Sequence, residues 1–170
     1  KVDDTLNVYK NVGGVDVQVK LIDKFDQNTD SANPSEFSDY TKTNAFYGRG
    51  SFALQITSDK HEQPVCLEFS FSKPITLDYF NIWDIDYMAS SKIPESSFQD
   101  SISVFAGFNG SNVPVFIVPK KGGYTYSILG QSILSDYVAG VNGDLSHKDS
   151  LGAVTLYTNK LINNVTICYA

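Results

Sequence analysis

Short alternation, punctuated by turn residues, runs through most of this chain. After the turn signal Gly13-Gly14 the residues read VDVQVKLI (15–22), with valine at every second position to begin with. That is the period of a strand buried on one face. FALQIT (52–57) and VCLEFSFS (65–72) follow the same rule, and Lys73-Pro74 reads as the end of the second. ITLDYFNIW (75–83) is a further apolar strand ending in Asp84 and Asp86. SISVFAGF (101–108) and VPVFIVP (113–119) flank Asn109-Gly110, a hairpin turn signal. YTYSIL (124–129), AVTLYT (153–158) and NVTICYA (164–170) complete the set. Residues 25–50 are mostly polar and turn-rich around Asn33-Pro34 and read as a long loop, and 130–150 reads as irregular. Nothing has the spacing of an amphipathic helix of useful length. The expectation is an all-β fold, a single jelly-roll-like β-sandwich domain over 1–170 with about nine antiparallel strands.

Composition narrows the class. Only 19% of residues are charged and 13% are aromatic, the balance of a sheet protein with a real core. The net charge of −6 argues against nucleic acid and against anionic membrane surfaces. No apolar run approaches the roughly 20 residues of a membrane span, so membrane insertion is not expected. The chain starts at Lys1, not at a methionine, which fits one module of a larger or processed chain.

The two cysteines sit in strands in matching phase. Cys66 lies on the face opposite Val65, Leu67 and Phe69, and Cys168 on the face opposite Val165, Ile167 and Tyr169. Such cysteines can meet across paired strands, which would imply an oxidising compartment. Two separate thiols fit the sequence as well.

Chemistry concentrates at the end of the fourth strand. With 79–86 extended, Phe80, Ile82, Asp84 and Asp86 share a face, and Asp100 is in phase with Ile102 and Val104. If the strands on either side of loop 87–99 are antiparallel neighbours, the three carboxylates converge. Ca²⁺ would offset their repulsion, with loop carbonyls or Glu95 completing its shell. The alternative is that the aspartates accept backbone N–H bonds and stiffen the loop. VNGDLSHKDS (141–150) alternates oxygen ligands at Asn142, Asp144 and Ser146, but lacks a closing glutamate and reads as a turn.

No nucleophile elbow, phosphate loop or dinucleotide fingerprint appears, and His61 and His147 stand alone. A non-catalytic protein is expected. Candidate ligand contacts are aromatic: Tyr47, Tyr87, Tyr124 and Tyr126, whose rings offer flat amphipathic area to sugars or peptides. Arg49, the only arginine, stands between Gly48 and Gly50 and suits a carboxylate.

The run CLEFSFSKPITLDYFNIWDID, followed by QDSISVFA, resembles a pattern in β-sandwich modules of bacterial surface adhesins and secreted multidomain proteins. VTLYTNKLINNVTICYA looks like the closing hairpin of such modules. The resemblance implies a β-sandwich at a secreted or cell-surface location and leaves the ligand open; a ligand-binding role, adhesin- or lectin-like, is the expectation. Carbohydrate or a protein on a host or neighbouring cell would be the partner, with Ca²⁺ at Asp84, Asp86 and Asp100. A peptide- or protein-binding adhesion domain and a structural spacer are the alternatives.

Overall fold

The structure, a computed structural model, describes residues 6–22, 36–39, 52–55, 65–83, 85, 87–88, 98–120, 126–135 and 152–169. It is an antiparallel β-sandwich with no α-helix among these residues. Eleven strands form its two sheets, with two further two-stranded ladders. The large sheet is built from β1 (Leu6–Val12), β2 (Val15–Ile22), β5 (Val65–Ile75), β15 (Ile162–Tyr169), β9 (Ser101–Phe108), β13 (Ser132–Ser135) and β12 (Tyr126–Leu129), side by side in that order. β10 (Ser111–Val113) also pairs with β9. The small sheet runs β11 (Phe116–Pro119), β14 (Val154–Tyr157), β6 (Phe80–Ile82). β3 (Glu36–Asp39) pairs with β4 (Phe52–Gln55), and β7 (Tyr87–Met88) with β8 (Phe98–Gln99).

The alternation sorts the faces. On the large sheet Val19, Leu21, Val65, Leu67, Phe69, Ile102, Val104, Ala106 and Val165 are buried, while Gln18, Lys20, Glu68, Ser70 and Thr166 point the other way. Val154 and Leu156 of β14 are buried from the opposite side. Phe69 and Phe80 join the sheets edge to face, 5.5 Å between centroids.

Several strand boundaries differ from the sequence reading, each for a local reason. β5 runs through Pro74 to Ile75. Ser70 pairs with Asn164 and Ile75 with Ile162, so four residues of β5 bulge out against one of β15, and a proline fits there without breaking a ladder bond. The expected strand 75–83 shrinks to β6, because Tyr79 takes a left-handed φ of 59° just before it. Asn109-Gly110 does make the hairpin, with φ of 49° and 80°, but Pro114 ends β10 and the chain crosses to the small sheet as β11. The stretch 130–150 starts with a strand, β13, turned back on β12 through Gly130 at φ 65°. The loop read over 25–50 contains β3.

Two neighbour relations are corrected. β6 lies in the small sheet and β9 in the large one, so the strands flanking 87–99 are not side by side; among the described residues the short β7–β8 ladder brings the two ends of that segment together. Likewise β14 and β15 do not form a closing hairpin: they belong to opposite sheets. Thr158 fixes that crossover. It is buried, its N–H donates to Leu77 O at 3.0 Å, and its Oγ1 accepts from Leu77 N at 3.0 Å and donates to Lys160 O at 3.0 Å.

Candidate functional site

The outer face of the small sheet holds a row of aromatic side chains that the core does not use. Period-2 alternation sends Val154 and Leu156 inward and leaves Thr155 and Tyr157 outward. On β11, register with β14 places Ile117 beside Leu156, and Phe116 and Val118 beside Tyr157 and Thr155. Phe116 and Tyr157, directly opposed, stack at 5.0 Å between centroids and 15° between planes. Each remains 38% exposed. On the other flank Phe80 pairs with Leu156, so Tyr79, one residue earlier, stands at the level of Tyr157; it is 83% exposed. An 83% exposed tyrosine in left-handed backbone contributes little to the core and has a cost in strain.

Beside this row the face turns polar. Thr155 Oγ1 donates to Asn81 Oδ1 at 2.8 Å, which leaves the Asn81 amide nitrogen to hydrogen-bond outward. Two residues further along, Lys120 Nζ lies 4.2 Å from the Trp83 ring centroid, and Lys120 N is anchored on Ala153 O at 3.0 Å. Rows two residues apart are about 7 Å apart on a strand. The face therefore offers an aromatic end, an amide–hydroxyl middle and a cation–aromatic end over about 14 Å. Stacked rings accept the C–H face of a pyranose, and amide and hydroxyl groups read its hydroxyls.

Of the residues singled out from sequence, the described ones lie on or beside other strands than these. Asp84, Asp86, Tyr47, Arg49, Tyr124, Asn142, Asp144 and both histidines lie outside the described residues. Tyr87 is the first residue of β7, and its side chain is also outside them. Asp100 is buried immediately before β9 and has interaction partners of its own. Between the two aspartates, Ile85 is fully buried, with its N–H donating to Gly152 O at 3.0 Å. Among the described residues, no three His, Cys, Asp or Glu side chains converge as a metal site. Tyr126 is not a surface contact. It is buried in β12, its hydroxyl donates to Ala153 O at 2.8 Å, and burial raises its pKa above the usual phenol value. Cys66 and Cys168 stand directly opposite in the β5–β15 ladder, 4.0 Å between Cα atoms, and are joined as a disulfide.

Sequence reasoning missed Tyr79, Asn81, Phe116 and Tyr157. For Tyr157 the signal was present: alternation in AVTLYT sets it on the face opposite Leu156. For Phe116 it was not, because VPVFIVP is apolar throughout and does not choose a face. Comparison of the chain with family models, with curated proteins and with solved structures finds no match.

Proposed function

We propose that this chain is a non-catalytic ligand-binding module, lectin- or adhesin-like, of a secreted or cell-surface protein, and that it takes carbohydrate on the outer face of the small sheet. The observation behind this reading is the exposed Phe116–Tyr157 stack with the Asn81–Thr155 pair beside it. Aromatic area next to neutral hydrogen-bonding groups is what a sugar ring, apolar on its faces and polar on its rim, requires. The Cys66–Cys168 bridge supports an oxidising compartment, the extracellular side among them.

The experiment is a glycan array followed by affinity electrophoresis through the polysaccharides that score, with wild type, Tyr157→Ala and Phe116→Ala. Retention that both substitutions abolish supports the reading. No retention on any glycan, or equal retention by the variants, removes it.

Calcium stays part of the proposal, with Asp84, Asp86 and Asp100 as its ligands. What supports it is the position of Asp100, buried immediately before β9. Melting in Ca²⁺ and in EDTA, on wild type and Asp100→Asn, tests it: a calcium-dependent rise in Tm should appear only in the wild type.

A further inference from the structure

The last row of the small sheet's outer face has a charge that the others lack. Register sets Lys120 next to Ala153 and Ala153 next to Trp83, each one residue outside its strand. The single methyl group of Ala153 leaves the lysine room to cross the row, and Nζ comes to 4.2 Å from the Trp83 ring centroid. Other described lysines are held differently. Lys10 is ion-paired to Asp16, Lys20 stands opposite Glu68 in the ladder, and Lys73 donates to Gly14 O at 3.4 Å. Lys120 rests on an aromatic ring, and among the described residues no carboxylate pairs with it. A ring attracts an ammonium without cancelling its charge, and a ring face leaves N–H donors of the ammonium for a ligand.

The two ends of the face differ in charge. At the aromatic end Asp78 precedes Tyr79 and Lys160 follows Tyr157, both exposed, and their formal charges cancel. The middle row, Val118, Thr155 and Asn81, is neutral. At the far end Lys120 is exposed, and no described residue of its row offsets it. With a net charge of −6 the chain as a whole repels anions, so selection for one has to come from a local cation. The stack and the lysine are about 14 Å apart along the strands, more than one sugar ring covers. A ligand that touches both is a chain of sugars with a direction, its neutral ring on the stack and its anionic group at the lysine.

We propose that the ligand of this face is an acidic oligosaccharide, whose carboxylate or sulfate group is received by Lys120 while a neutral ring stacks on Phe116 and Tyr157. The proposal rests on the carbohydrate reading of the same face. The Trp83 ring holds the ammonium in place before the ligand arrives, which lowers the ordering cost of binding. The bond to the anion is charge-assisted and exposed, so salt weakens it.

Equilibrium titration of the full chain with acidic oligosaccharides, each beside its neutral partner, tests this. A uronate chain is paired with its methyl ester, and a sulfated galactan fragment with its desulfated form. Wild type should bind the acidic member of one pair about tenfold tighter than its partner, and about 0.5 M NaCl should remove most of the difference. A preference within the uronate pair identifies a carboxylate as the group received, and one within the sulfated pair a sulfate; either supports the proposal. Lys120→Gln should bring the acidic member down to the neutral one, and Lys120→Arg should keep most of the preference. Equal or weaker binding of the acidic member in both pairs overturns the proposal and leaves the carbohydrate reading standing. So does a preference that Lys120→Gln does not change. No binding of any member, acidic or neutral, together with an empty glycan array, removes that reading and this proposal with it.

Discussion

Thr158 and Leu77 hold each other through two hydrogen bonds, backbone N–H to carbonyl and backbone N–H to hydroxyl, each 3.0 Å. Both residues are buried, so neither bond has water as a substitute. Thr158→Val keeps the shape and removes the hydroxyl, leaving Leu77 N–H unsatisfied. The expected loss is about 1 to 3 kcal/mol, read from urea midpoints at unchanged slope. Thr158→Ser, which keeps the acceptor, should recover most of the hydrogen-bond contribution.

Tyr126 separates packing from hydrogen bonding in the same core. Its ring is buried and its hydroxyl shares Ala153 O with Lys120 N. Tyr126→Phe should cost about 1 kcal/mol, since Ala153 O keeps one donor. Tyr126→Ala should cost about 3 to 5 kcal/mol by opening a cavity. Neither change should affect a ligand on the small sheet.

The Cys66–Cys168 bridge closes a sequence separation of 102 residues. Cys66→Ala/Cys168→Ala should lower stability by about 2 to 4 kcal/mol, mainly by releasing the unfolded chain. Both cysteines lie on the outer face and not in the core packing. The double variant should therefore keep the strand content seen in the far ultraviolet.

The β1–β2 hairpin should respond to acid. Asp16 accepts from Lys10 Nζ at 2.8 Å and from Asn11 N at 3.0 Å, and these bonds hold its pKa below the ordinary aspartate value. A carboxyl depressed in the folded state contributes in full above its unfolded pKa and loses that contribution as pH falls through the lower folded value. Amide exchange at Asn11 should be protected at neutral pH and rise only below about pH 4. Asp16→Asn should remove this pH dependence. The effect should shrink in high salt, because the pair is exposed.

Much of the architecture was legible because alternation is a local signal with a global meaning. Val65, Leu67 and Phe69 announce a face, and the burial pattern of β5 repeats their spacing. The hairpin at Asn109-Gly110 was readable from the need for positive φ at two successive residues. Which sheet a strand joins was not readable. AVTLYT and NVTICYA are both alternating strands, and nothing within either says that Pro119 partners one and Gly107 the other. The candidate site suffered for the same reason. Tyr79 sits in an apolar run that reads as buried, and only the left-handed turn before β6 lifts it clear. Alternation placed Tyr126 on a strand correctly, but the sequence reading took its amphipathic ring for a surface contact, whereas Ala153 O supplies its hydroxyl with a buried acceptor.

The bridge between the two central strands also determines how the chain transmits tension. A pull applied to the two ends cannot lengthen anything between Cys66 and Cys168 while the disulfide is intact. That segment would otherwise pay out about 350 Å of contour at full extension. The extensible reserve is the N-terminal part alone, β1 through β4, with β1 at the margin of the large sheet. In a single-molecule stretching trace, reducing agent should therefore lengthen the rupture step about 2.5-fold, from roughly 230 Å to roughly 580 Å of released contour. Under load, the oxidised module would yield its first strands and then stop, a tether with a fixed limit on its give.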